Sequence, residues 1–354
     1  MTLRVGIIGA GFARRVQLPG LRLIPDVTPV AIASRQRANA EAVAREFAIP
    51  AVFDRGDELA RSPSVDLVLV SSTPPSHARY AIAALDAGKR VLCEKPLAMD
   101  AAEAWRTVEA AERQPSRIAW VDHELRYEPN RRKIRDLIRS GAIGEVQHLE
   151  LSLKPYLRGD GRPQTAAAPW TWWFDGAQGG GIIGAVGSHL IDLCRFWTGR
   201  EVTRVAGRTA TFGRERLDAG GVARAVTADE LSAGVLSLGD GVVATLTLSS
   251  VAHHGVGHLT QITGTEGTLL LTGETKLEIG TPGGPLEDIS VPDDLMGRTA
   301  VNNMWARSFV RLLRDLAGVV AGNAPAGEPA TFRDGWQIQR ALDALRAGLG
   351  APLD

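Results

Sequence analysis

The chain has 354 residues, 44% of them hydrophobic, and its 40 Lys and Arg balance its 40 Asp and Glu. That composition describes a globular chain with room for two domains, and its neutrality removes the electrostatic footprint of a nucleic-acid binder. No run of about 18 uncharged apolar residues offers a membrane span, and the first apolar stretch is broken by Arg14 and Arg15 instead of ending in a cleavage site, so a cytoplasmic location is expected.

Residues 4 to 14 read RVGIIGAGFAR. Val5, Ile7 and Ile8 form the apolar run of a buried parallel strand, Gly9 and Gly11 occupy the first two glycines of G-x-G-x-x-G, and Phe12 to Leu23 has helical spacing. Gly9 permits the tight turn and Gly11 lets backbone approach a pyrophosphate, while the helix start, with Phe12 and Ala13, offers free N–H groups. The third small residue falls at Arg14, so Ala13 is expected to take that packing role. Up to residue 121 the pattern repeats: VTPVAIAS, AVF, DLVLVSS, RVLCEK and RIAWVD are strands, with amphipathic helices at 37–47 and 77–87 between them. This reads as a doubly wound parallel sheet, a Rossmann domain over 1–122. Its ligand crevice lies at the carboxyl ends of the strands, lined by Gly9 to Ala13, Ser34 and Arg35, Ser72, Thr73, Pro74 and His77, and Glu94 to Pro96. Cys93 and Cys194 lie in apolar segments without metal or redox spacing and read as buried thiols.

Residues 123–354 have another texture. A helix is expected near 130–140, then strands at 146–154, 202–212, 226–238, 242–251, 259–264, 268–272 and 277–279, and finally helices at 305–320 and 333–349. Consecutive short strands of this kind predict an α+β domain with a large, mostly antiparallel sheet open on one face. That face predicts a homodimer or homotetramer. His253, His254 and His258 surround a glycine turn; without an accompanying acid pattern they read as an exposed hairpin, and no metal is expected.

Three ordered blocks give a resemblance to the Gfo/Idh/MocA oxidoreductases over essentially the whole chain: GIIGAGFA at the start, STPPSH with EKPLA at 94–98, and PWTWWFD followed by GGGIIGAVGSHLIDLCRFW. The resemblance implies a nicotinamide-dependent oxidation of a secondary alcohol of a sugar, cyclitol or related polyol, or the reverse reduction. Lys95 matches the lysine that approaches the reacting oxygen, and His189 the histidine beside it, which acts as acid or base. Asp192, three residues on, either orients that imidazole or contacts substrate. His123 and Arg126 match the segment at the domain junction; Arg126 binds a substrate anion or pairs with a helix. Trp172, in the Trp-rich loop with Trp170 and Trp173, is a candidate sugar-stacking residue.

The chain departs from the family where an aspartate commonly precedes the histidine by four residues: here it is Ala185, and Asp192 and Asp175 are candidate replacements. Two other functions stay open, a redox-elimination enzyme that recycles its cofactor and a non-catalytic cofactor sensor. At the end of the second strand, where an acid selects NAD, the chain has Ser34, Arg35 and Arg37. A hydroxyl and guanidiniums suit a 2′-phosphate, so NADP is expected to be preferred over NAD.

Overall fold

The computed structural model describes residues 2–115, 117–154, 168–255 and 257–348, and the chain divides into two compact units. The first takes residues 1–128 together with 294–339, and the second takes 129–293 with the residues from 340 onward.

In the first unit β1 (Leu3–Ile8), β2 (Val27–Ala33), β3 (Ala51–Phe53), β4 (Leu67–Val70), β5 (Arg90–Cys93) and β6 (Ala119–Val121) form a parallel sheet in the order β3-β2-β1-β4-β5-β6. This is the doubly wound order that the alternation of strands and helices predicts. All four residues of β4 are fully buried, as a strand covered on both faces requires. On one face Val5, Ile7, Leu67 and Leu69 pack with Ala40 and Val43 of the helix Arg37–Phe47 and with Phe309, Leu312, Leu313 and Leu316 of the helix Met304–Val320. On the other, Ile8, Val68 and Val70 pack with Ala81 and Ala84 of His77–Asp86 and with Ala104 and Val108 of Ala101–Glu112. The sequence leaves Met304–Val320 with the second half of the chain. It joins the first unit because its four large apolar side chains have a sheet face to bury, at about 1.5–3 kcal/mol each.

The second unit is built on an eight-stranded sheet of β7 (Val146–Lys154), β8 (Val202–Ala210), β11 (Leu231–Leu238), β12 (Val243–Ser249), β13 (Gly257–Gly264), β14 (Thr268–Thr272), β15 (Lys276–Gly280) and β16 (Glu287–Asp288), ordered β16-β15-β14-β13-β7-β12-β11-β8. Every neighbouring pair is antiparallel except β7 with β12. Ala244, Leu246 and Leu248 are buried while Val243 and Thr247 face outward, the alternation of a sheet with one covered face. The strands expected at 202–212 and 226–238 are shorter than the sequence predicts. Between them a separate ribbon forms from β9 (Glu215–Leu217) and β10 (Ala223–Ala225), its turn held by Asp218, which accepts from the N–H groups of Gly220 and Val222. The ribbon is largely exposed and carries no alternating apolar signal, so periodicity does not reveal it. The expected end of the last helix at Leu349 lies outside the described residues.

His258 is not on an exposed hairpin. It is buried on β13 opposite Leu153 of β7, with its Nδ1 3.4 Å from Nη2 of Arg131, and burial together with that guanidinium holds the imidazole well below its usual range. His253 and His254 are exposed, and among the described residues no cluster of three or more His, Cys, Asp or Glu is arranged to hold a metal.

Candidate active site

The glycine turn leaves β1 through Gly9, whose φ is +115° and whose N–H donates to Ala33 O at 2.8 Å. A Cβ at Gly9 would stand 2.2 Å from Ser71 O at the end of β4, so only hydrogen fits between the two strand ends. Around Gly11, by contrast, nothing lies within 4 Å of a Cβ position: this side of the turn is open backbone at the start of a helix. An open glycine cradle at a helix start suits a pyrophosphate, so the residues present fit a dinucleotide. Phe12 is half-buried and Ala13 fully buried, whereas Arg14 turns outward to Glu46 at 2.6 Å. Ala13 therefore supplies the close helix-to-strand packing that the motif asks of its third small residue. The helix then widens into a π turn, Ala13–Gln17, a geometry that recurs at functional sites and here turns Gln17 into the protein interior.

At the end of β2, Ser34 is half-buried and Arg35 exposed. Arg37 is occupied, with Glu41 at 2.7 Å and Asp54 in a close ion pair. Ser72 and Thr73 are half-buried beyond β4, and the Ser76 hydroxyl donates to Ser72 Oγ at 2.8 Å. Pro74 and His77 are buried. The two ring nitrogens of His77 face the carbonyls of Pro96 and Ser72 at 2.7 and 2.9 Å, and burial lowers its imidazole pKa. Its polar atoms thus tie the β4 loop to the β5 loop.

Glu94 is buried, and Lys95 is half-buried with its ammonium 5.9 Å from the centroid of the Trp305 ring. Gln17 donates from Nε2 to Glu94 Oε1 at 3.0 Å and to Asp122 Oδ2 at 3.4 Å, and its Oε1 accepts from Ser71 Oγ at 2.5 Å. Gln17, Asp122 and Trp305 are residues that sequence reasoning does not single out. The remaining candidates after β6 are buried: His123 is 2% exposed, and Arg126 donates from Nη1 to Glu328 O at 3.1 Å and stands 3.5 Å from the Asp334 carboxylate. Asp334 belongs to the helix Phe332–Ala347, so Arg126 pairs with that helix here.

In the second unit His189 and Asp192 lie on the helix Ser188–Thr198, three residues apart and both at most 1% exposed. A π turn, Ile183–Gly187, leads into that helix and includes Ala185. Asp229 anchors this start: its Oδ2 accepts from Ile183 N at 2.8 Å, and Gly181, at φ +105°, passes so close that a Cβ would stand 2.3 Å from Asp229 Oδ1. Asp175 accepts from Ala177 N at 3.0 Å and from Gln178 Nε2 at 3.2 Å, so it caps its own loop. Trp172 is 36% exposed, its ring edge-on to Trp173 with centroids 6.2 Å apart.

Comparison with known proteins follows the same division of the chain. The model of an oxidoreductase family with an NAD-binding Rossmann fold, GFO/IDH/MocA, matches residues 3–123, and the GFO/IDH/MocA C-terminal domain matches residues 131–270. An uncharacterized oxidoreductase of Synechocystis sp. is 28% identical over 83% of this chain and 80% of its own length. The human glucose-fructose oxidoreductase domain-containing protein 2 is 26% identical, covering 97% of this chain and 90% of that protein. Among solved structures, a levoglucosan dehydrogenase in complex with NADH and levoglucosan superposes with a TM-score of 0.86 at 21% identity over 100% of both chains. An oxidoreductase domain protein from Kribbella flavida gives 0.84 at 26% identity, over 98% of this chain and 96% of that one.

Proposed function

The chain belongs to the GFO/IDH/MocA oxidoreductases, and from that premise we propose that it moves hydride between a nicotinamide dinucleotide and a secondary alcohol or ketone of a sugar, cyclitol or related polyol. The observation that carries this reading is the alignment of the Gly9–Gly11 turn with Lys95, at the carboxyl ends of β1 and β5 in one parallel sheet, where such sheets bind ligands. The levoglucosan dehydrogenase neighbour, with NADH and sugar bound, supports the substrate class.

When bound, the dinucleotide supplies a hydride acceptor or donor; the protein orients the alcohol and manages its proton. Gly11, Phe12 and Ala13 would hold the dinucleotide through backbone N–H groups, with Ser72, Thr73 and Pro74 as further residues that would contact it. Lys95, a half-buried ammonium, stabilises negative charge on the alcohol oxygen, and His189 exchanges its proton. Asp192 orients His189, and Trp172 offers its face to the sugar ring. The exposed Val235 and Val243, on the open face of the eight-stranded sheet, support pairing with a second copy. A panel of polyols with cofactor tests the reading. Reduced nicotinamide is expected to accumulate with at least one of them; substrate loss without net reduction selects the elimination reaction, and no reaction across a broad panel selects the sensor.

NADP preference rests on Ser34 and Arg35, because Arg37 is already neutralised by Glu41 and Asp54. Arg35→Ala is expected to weaken NADPH binding roughly tenfold or more, the scale of one charged hydrogen bond, with little change for NADH. Arg37→Ala is expected to change neither much. Fluorescence titration of both cofactors checks this, and tighter NADH than NADPH binding by the unaltered protein sinks the preference.

A further inference from the structure

Glu94 and Asp122 end adjacent strands at the same level. The Glu94 N–H donates to Val70 O at 2.9 Å and the Asp122 N–H to Cys93 O at 2.7 Å, which anchors the backbone from which both side chains extend. Gln17 spans them with one amide nitrogen and is itself oriented by Ser71. All four residues are more than nine-tenths buried, and Asp122 Oδ1 has no hydrogen-bond partner among the described residues.

Two full negative charges on one amide donor, out of water, repel strongly, and one proton held between the acids replaces that repulsion with a hydrogen bond. The environment agrees with the geometry. Burial, and then the Asp122 charge, pushes Glu94 well above the usual carboxyl range; burial pushes Asp122 up to about 6, against the pull of Glu94, the Lys95 ammonium and Gln17. The other titratable groups facing the pair are Glu124, which raises Glu94 further, and the Cys93 thiol, itself raised by burial. On the helix His77–Asp86, His77 feels the Lys95 ammonium, and burial holds its imidazole pKa low.

We propose that Glu94 and Asp122, clamped by Gln17, act as a single proton-sharing acid that keeps one negative charge beside the Lys95 ammonium and so fixes its charge during the reaction. Asp122 and Gln17 are then positioning residues. This rests on the assignment of Lys95 to the reacting oxygen, but the carboxyl pair itself is testable without turnover.

Infrared spectra of the full-length protein at neutral pH are expected to contain the carbonyl stretch of one protonated carboxylic acid. Asp122→Asn and Glu94→Gln should each abolish it, because either leaves a lone carboxylate that ionises beside Lys95. Absence of the band from the unaltered protein, or its survival in both variants, overturns the proposal. Unfolding supplies a second readout. An acid whose proton affinity is raised by folding stabilises the native state fully below its unfolded pKa, about 4, and that contribution fades as pH rises through about 6. The melting temperature should therefore fall between pH 5 and pH 7 by more in the unaltered protein than in Asp122→Asn; equal slopes count against the pair. In kinetics, the alkaline limb of kcat/KM should move toward acid by about one pH unit in the double variant, which lacks the pair's charge beside Lys95, and by less than half as much in either single variant. Equal, additive shifts mean two separate carboxylates and overturn it. Full activity of Lys95→Ala with the infrared band intact instead defeats the Lys95 assignment, and with it the link from the pair to the reaction.

Discussion

Lys95→Ala is expected to lower kcat by about 10²–10⁴-fold, the range over which a positioned proton-handling group contributes, while NADPH affinity stays within a few-fold. The size follows from the role proposed for the ammonium: an alcohol oxygen losing its proton develops negative charge, and in a partly dry site a fixed cation offsets that charge far better than water does. Lys95 is half-buried, with its ammonium near the Trp305 ring. Lys95→Arg is not expected to restore full activity, since the planar guanidinium neither fits the same point nor releases a proton. Steady-state kinetics paired with cofactor titration decide the matter: activity within tenfold of the unaltered enzyme removes Lys95 from the chemistry.

The two glycines of the first turn should separate stability from binding. Gly9→Ala places a methyl group 2.2 Å from Ser71 O at a φ of +115°, and neither backbone strand is free to retreat. Left-handed strain and overpacking together cost about 2–5 kcal/mol of folding free energy, so cofactor binding is lost along with the fold. Gly11→Ala meets nothing within 4 Å, and the melting temperature is expected to stay near that of the unaltered protein. Its methyl group nevertheless faces the space assigned to the pyrophosphate, so NADPH affinity should fall at least tenfold. Thermal melts and fluorescence titration check both variants; a stable Gly9→Ala, or a Gly11→Ala that binds cofactor normally, contradicts this account of the turn.

The parts of the molecule legible in the sequence are those whose physics is local. Strand, glycine turn and helix follow one another within RVGIIGAGFAR, and the departure at Arg14 resolves as its neighbours predict, with Ala13 buried and the arginine turned to Glu46. β4 is apolar throughout because both its faces are covered, which the run DLVLV announces. The rest depends on long-range packing. Gln17 meets Glu94 and Asp122 across 77 and 105 positions, and a glutamine after a helical arginine pair carries no local sign of such a role. His258 reads as exposed because it follows a glycine turn, but strand pairing begins one residue earlier and draws it inside. The sequence cannot distinguish a substrate-binding Arg126 from a helix-pairing one, because its partners Glu328 and Asp334 lie some 200 positions away.

The return of Met304–Val320 to the first unit bears on how the protein is made. A nascent chain that has left the ribosome up to Glu128 contains all six parallel strands yet lacks the helix that shields Val5, Ile7, Leu67 and Leu69. At about 5–20 residues per second, the stretch from 128 to 320 takes roughly 10–40 s to synthesise. For that interval the sheet face is covered only in part, by Arg37–Phe47, and is a natural client for holding chaperones; a gene truncated after codon 128 should yield insoluble product.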